Sequence, residues 1–552
     1  MEALVRMMKK KRAFPGFLRI GLALLPAAAL AQAPPAPENP PATFRETVQV
    51  RVMDLDVSVT DSRGNPVSDL AQNDFRVTVD GKPVSIDYFT RVAEGTIHAP
   101  DLATASPDLV LAEYRKGADA YVPRQFLMYI DVGNLSPGSR KRGLEALRDL
   151  VTRLGPGDMG RVVLFDRRGK EQSEWTSSKE TLFSALSKIE SGVGMSRLMN
   201  ETQTLNQIDS TRSRQSRETV ARMYAEQVRV EVSNMLRDMS AELTTLTALP
   251  GKRAFLYVSG GFDMQPGSAM MQYAVGSFSL RSYDAGNMGR ELQALIQKAN
   301  ANQVTFYTVD ARGLTAEGGS AGGDDPLLSR PGVSFFARQD SQAGLQELAA
   351  ETGGLALLNT NALSSGLGRI YQDASTYYSV GVNLSNMPGV GFRNVRVTVA
   401  RLGVTVRARR SFAARTPAER GGDVAQAALR SNIQYRGIPV TLSTALPTKG
   451  KKYYALPIAV TVPASSLTFL PSGDSRRAVA DVYVGVMDDA GRMSDINREE
   501  TTFTLPPDAP SNAPLRYTVN LEIRKGNARV VVNVRDRETG RMGTARADVH
   551  IE

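Results

Sequence analysis

The chain has 552 residues, too many for one hydrophobic core at about 150 residues per domain. Hydrophobic residues make up 42 % and charged residues 22 %, a soluble globular balance that excludes collagenous and wholly disordered chains. Half of the +10 formal charge sits in residues 1–31, where Arg6, Lys9, Lys10, Lys11, Arg12 and Arg19 outnumber Glu2, so no nucleic acid partner is expected. The absence of cysteine removes any lipobox acceptor, disulfide framework or thiol nucleophile, and with two histidines a zinc site is not expected either.

In chain order, the basic start precedes an apolar run, Ile20 to Ala31, that closes on the small-x-small pattern Ala29-Leu30-Ala31. This reads as a signal peptide over 1–31, because about 12 apolar residues fall short of the ~20 that span a bilayer. No later segment is long and apolar enough to cross a membrane. Residues 32–43 are a Pro-rich linker. A small β domain is expected over 44–92, with a bulge near Met53 and Asp54 where the alternation changes parity, and a hairpin at Asp80-Gly81. Residues 93–121 read as linker.

From residue 122 the period changes. Short apolar runs at 126–130, 162–165, 254–258 and 304–309 alternate with helical patterns, which predicts a doubly wound, mostly parallel α/β sheet over 122–390. Ser136 and Pro137 mark a helix start, as cap and first-turn proline. Two insertions interrupt the sheet: a long helix over 212–248 and a Gly-rich loop over 313–338. Helices over 343–351 and 367–374 and a last sheet strand, 377–384, complete the domain. A β extension over 391–412, a linker with a helical stretch over 413–430 and a β-sandwich over 431–552 follow.

Four segments carry a resemblance: VMDLDVSVTDSRGNPVSDLAQNDFRVTVDGKPVSI, LPGKRAFLYVSGGF, VTFYTVDARGL, and LAAETGG followed by YQDASTYYSVGV. Over residues 45–415 the chain resembles the von Willebrand factor type A-related domain family of secreted bacterial proteins. The resemblance implies that the sheet is of A type, and the strand alternation on either side of it predicts flanking N-terminal and C-terminal β-rich, sandwich-like domains. The resemblance also implies a Mg²⁺ site at the sheet edge, built from Asp-x-Ser-x-Ser, a distant Thr and an Asp. Here Asp131 keeps its place, whereas Gly133 and Leu135 stand where the hydroxyls belong and Gly260 stands where the Asp belongs. Asp131, Asn134, Ser136, Ser259 and Asp263 are then the candidate binding residues of the crevice. Asp131 and Ser136 are the candidate metal ligands if the remnant still binds, Ser196 being a further oxygen, and no cofactor is expected.

Gly318-Gly-Ser320-Ala-Gly322 matches the G-x-S-x-G pattern, but it lies in a Gly-rich loop without the strand before and helix after that a nucleophile elbow needs. The two histidines, His98 and His550, fall in a linker and at the C-terminal end. The expectation is an exported, non-catalytic protein, periplasmic, outer-surface or secreted, that recognises an extracytoplasmic protein or glycan. The alternatives are an envelope assembly scaffold and, further off, a serine hydrolase. The basic cluster Arg401, Arg407, Arg409, Arg410 and Arg415 reads as a strand face open to solvent or to an acidic polymer. N-terminal sequencing of the exported protein should begin at Gln32; a retained 1–31 segment would exclude the signal peptide.

Overall fold

The computed structural model describes residues 52–98, 121–166, 169–191, 197–247, 249–276, 286–314, 326–330, 332–384, 387, 391–413, 417–432, 434–450 and 453–551. The expected signal peptide, the Pro-rich linker, Ser196 and the G-x-S-x-G segment lie outside these residues. A central α/β domain stands with two β domains, and no described helix is long and apolar enough to cross a membrane.

The α/β sheet has the spatial order Ala356–Leu357, Val304–Asp310, Lys252–Ser259, Arg124–Asp131, Met159–Asp166 and Gly169–Gln172. Its first five strands are parallel, and the last folds back antiparallel at the edge. Helices cover both faces, so Arg124–Asp131 and Val304–Asp310 are buried along their whole length, as their unbroken apolar runs require. On one face Leu127, Tyr129, Phe255, Tyr257 and Phe306 pack under the long helix Arg214–Leu246 and its neighbours. On the other, Phe126, Met128, Ile130, Leu256 and Val258 meet the helices Pro137–Arg153, Lys179–Ser191 and Leu363–Ser375. Ser136 caps Pro137–Arg153 by accepting from the Ser139 N–H at 3.2 Å.

The first β domain differs from the expected division. Its two sheets run Thr405–Arg407, Val52–Thr60, Tyr377–Asn383, Ile86–Ala93, Thr96–His98 and Ser411–Ala413, Phe392–Val399, Phe75–Val79, Lys82–Val84. The 44–92 unit, part of the 93–121 linker, the 391–412 extension and the supposed last strand of the α/β sheet therefore form one sandwich. The α/β domain is inserted into it. Tyr377–Asn383 is buried without a break from Tyr377 to Val382 because both of its faces are covered. Tyr378, Val380 and Val382 enter the sandwich core, while Tyr377 packs with Val122. Such a run reads the same as a buried parallel strand. Tyr378 also stacks among Phe75 and Phe89, with ring centroids at 5.0 and 5.4 Å, and its hydroxyl donates to the Val67 carbonyl at 2.8 Å.

Asp80 and Gly81 turn with φ of 49° and 79°, the two positive values a type I′ hairpin needs. No bulge falls at Met53 and Asp54, where the register against Tyr377–Asn383 is continuous; it falls opposite, between Gly381 and Val382. The helix Ser334–Thr352 also starts earlier than expected, inside the supposed loop. The helical stretch expected within the 413–430 linker is the helix Pro417–Arg430, which is packed against the next domain and is not a free linker. Its small apolar face (Ala425, Ala428, Leu429) packs on Tyr483 and Val531 of the C-terminal β domain. That domain buries Leu456, Ile458, Val482, Val484, Val530 and Val532 between two antiparallel sheets.

Because residues 377–413 supply half of the first sandwich, a fragment of residues 44–98 should show no cooperative melting. A sharp transition by circular dichroism would mean that it folds alone.

Candidate functional site at the sheet switch point

Strand order reverses between Arg124–Asp131 and Lys252–Ser259, whose continuations leave toward opposite edges. Open α/β sheets offer their ligand crevice at that point, beyond the carboxyl ends of the strands. Asp131 ends the first strand and Ser259 the second.

Asp131 is 1 % exposed. Its Oδ2 accepts from Asn134 Nδ2 at 2.7 Å, Tyr257 Oη at 3.0 Å and Ser259 Oγ at 3.0 Å. Burial raises its pKa, and these three donors and the charge of Arg197 oppose the rise. The same burial, beside Asp131, pushes the Tyr257 hydroxyl well above its ordinary value, so it remains a donor.

Arg197, the first residue of helix Arg197–Ser210, brings a guanidinium into the crevice. Its Nη2 donates to Asp263 Oδ2 at 2.8 Å, Nη1 to Asn134 Oδ1 at 3.2 Å and Nε to Tyr224 Oη at 3.4 Å. Burial works against its charge, but Asp263, Tyr224 and Glu201 hold its proton. Glu201, one turn along, accepts from the Leu327 N–H at 2.7 Å and from Tyr224 Oη at 3.2 Å. Across the crevice Arg312 pairs with Asp310 at 2.8 Å and donates to Ser341 Oγ at 3.1 Å. Burial pushes Asp310 up, yet the charge and hydrogen bonds of Arg312 outweigh it and hold the carboxyl low.

Asp340 lies on the same rim, accepting from the Gln265 N–H at 3.1 Å. Burial, and next the charge of Asp263, raise its pKa to about 7. Asn134, Arg197, Gly260, Asp263, Asp340 and Ser341 help to line a cavity of about 40 Å³. That volume suits two or three waters or one small polar group. A saccharide ring is larger.

The expected candidates thus divide. Asp131, Asn134, Ser259 and Asp263 belong to one hydrogen-bonded cluster. Ser136 does not join it: its hydroxyl caps the helix and donates to Ser139 Oγ at 3.0 Å. The residues do not fit the Mg²⁺ that the resemblance implies. A hard cation asks for about six oxygens. Here the Asp131 Oδ2 already accepts three hydrogen bonds, and positions 133 and 135 carry no side-chain oxygen. A Cβ at Gly260 would stand 2.3 Å from the Asn134 carbonyl oxygen, so the loop has closed over the place of the missing carboxylate. Among the described residues no three His, Asp or Glu side chains are grouped to hold a metal.

Arg197, Glu201 and Asp340 were not foreseen. Helix Arg197–Ser210 buries Arg197, Glu201 and Thr204 beside Leu205 and Ile208, so its inward face is largely polar and leaves little apolar period. Its spacing of four and seven residues was the available signal. The basic cluster after residue 400 also differs from expectation: the described arginines turn to internal partners. Arg407 pairs with Asp373 at 2.6 Å, Arg410 with Glu351 at 2.9 Å and Arg401 with Asp69 at 2.7 Å. Arg409 donates to the carbonyls of Asn300 and Asp54.

No family model matches the chain, and no curated protein matches it. Solved structures show partial likeness. An aerotolerance-related membrane protein from Bacteroides fragilis is 12 % identical over 45 % of this chain and 98 % of its own, with a TM-score of 0.24. The pilus adhesin SpaC from Lactobacillus rhamnosus GG is 10 % identical over 77 % of this chain and 53 % of its own, also at 0.24. A Bacteroides uniformis beta-glucuronidase, of which the chain spans 19 %, is 11 % identical at 0.15. At such scores the likeness carries no argument about function.

The raised pKa of Asp340 sets a pH dependence. A carboxyl whose folded pKa lies above its unfolded value stabilises the fold below the unfolded value. That contribution is lost as pH rises through about 7. Asp340→Asn, which keeps an acceptor for Gln265, should therefore melt several degrees higher than the unaltered chain at about pH 8 and level with it near pH 4. Equal melting temperatures at both pH values would show Asp340 to be ionised without penalty.

Proposed function

We propose that the chain is an exported, non-catalytic binding protein of the von Willebrand factor A type, and that it recognises an extracytoplasmic protein at the switch-point crevice. The carrying observation is the crevice's surroundings. Met199, Leu314 and Phe335 are 55, 63 and 75 % exposed, each within two residues of a cavity-lining side chain. Large apolar side chains exposed close in the chain to a small polar cavity suit a protein interface, in which apolar area is covered and a few directional contacts fix the register. The strand order and the position of Asp131 support the A-type reading, and the charge-paired, histidine-poor crevice favours recognition over chemistry. The described histidine side chain, His550, faces Asn527 in the C-terminal domain. The export reading rests on the sequence of residues 1–31.

A scaffold role through the long helix is the second reading. It is favoured by Met223, 70 % exposed on the side of Arg214–Leu246 away from the sheet. Crosslinking pull-down from the producer's own cell envelope, with the full mature chain as bait, separates the two. A Leu314→Asp/Phe335→Asp double variant should lose the partner captured by the unaltered chain, and Met223→Glu should retain it. The reverse pattern would favour the scaffold. Labelling by a serine-reactive probe would overturn the non-catalytic reading.

A further inference from the structure

Two acidic side chains are linked through Asn134 and Arg197 at the switch point, Asp131 fully buried and Asp263 half-buried, and a buried carboxylate is costly without a compensating charge. The crevice contains that charge within the chain. One branch of the Arg197 guanidinium lies directly on Asp263, and the other reaches Asn134, whose amide relays to Asp131. The side chain of Arg197 is 9 % exposed. A guanidinium never loses its proton in the physiological range and holds a fixed, planar set of donors.

We propose that Arg197 is the resident cation of the crevice, holding Asp263 and the Asp131–Asn134 pair together without any divalent ion. Its bonds to Tyr224, Asn134 and Asp263 use three of the five N–H groups of a guanidinium. The remaining two belong to a residue that lines the cavity, and they are the donors offered to an incoming oxygen. An acceptor such as a backbone carbonyl or carboxamide fits them, whereas a ligand carboxylate bridged by a metal is not required. The assignment concerns charge balance and stands apart from whether the crevice meets a partner. Melting tests the one and pull-down the other, so each can fail alone.

The experiment is thermal melting of the full mature chain in EDTA and in millimolar Mg²⁺, Mn²⁺ or Ca²⁺. The unaltered chain should shift by less than about 1 °C on metal addition, since no open carboxylate cluster awaits it. Arg197→Met, similar in length and uncharged, should melt at least about 4 °C lower in EDTA and regain half or more of that loss in metal, because the uncompensated carboxylates then accept a cation. Arg197→Lys should stay unresponsive to metal. Metal stabilisation of the unaltered chain, or an Arg197→Met variant as insensitive as its parent, overturns the proposal. Should Arg197→Met fail to fold, calorimetric titration of Mn²⁺ into the unaltered chain decides: no saturable heat supports the resident guanidinium, and saturation below millimolar Mn²⁺ overturns it.

Discussion

The antiparallel pairing of Val52–Thr60 with Tyr377–Asn383 governs the rest of the molecule. It joins the strand before the α/β domain to the strand after it, with Val52 opposite Asn383 and Val57 opposite Tyr378. Everything from Tyr121 to Thr376 must start and finish beside that ladder. The junction is closed by polar contacts with few exposed members. Lys252, at the base of a central α/β strand, pairs with Asp56 at 2.7 Å and lies 4.8 Å over the Tyr377 ring. Arg407 spans from the sandwich to Asp373 and to the Gly354 carbonyl. Partners buried this far are costly to separate, so the two domains are held as neighbours and not loosely tethered.

At the opposite end of the sheet the same logic of compensated burial shapes the crevice. Tyr257 and Ser259 rise from the central strand toward Asp131, and Arg197 comes in from a separate helix. The glycines at 260 and 261 let two loops close on one another. A side chain at Gly261 would meet the Ser341 carbonyl oxygen at 2.2 Å, and its φ of 88° suits glycine. The crevice is therefore small because backbone approaches backbone. Its polarity survives in the few side chains that reach through.

How much of this was legible depended on which physical signal each element carried. The strands at 124–131 and 304–310 are buried on both faces and announced themselves by unbroken apolar runs. The Asp80-Gly81 turn and the Ser136 cap were legible because each answers a local backbone demand. Helix Arg214–Leu246 was legible from Val228, Met235, Leu236, Met239 and Leu243 at helical spacing. Asp131 and Ser259 were correctly placed together, since strand order sets their proximity. Helix Arg197–Ser210 and the first turns of Ser334–Thr352 were not, because their buried positions include Arg197, Glu201, Ser341 and Gln342. Hydrophobic periodicity does not register a polar inward face. Nor could it tell that Tyr377–Asn383 leaves the parallel sheet, since strand partnership at a separation of some 320 residues leaves no local trace.

The discontinuous sandwich has a consequence for how the chain comes into being. A chain made from its N-terminus presents Leu55, Val57 and Val59 to solvent long before Tyr378, Val380 and Val382 exist to cover them. Closing a loop of that length by chance carries an entropic cost that grows with the logarithm of its length, and non-local strand pairing is slow. The α/β domain, with its more local strand-helix contacts, shortens the effective loop once it has formed. In passing through it, the chain returns residue 377 to the side from which residue 121 departed. The early strands must therefore wait as an exposed, aggregation-prone edge until the middle of the protein is complete. The order in which the strands are made and the order in which they can close are thus set apart by the whole length of the inserted domain.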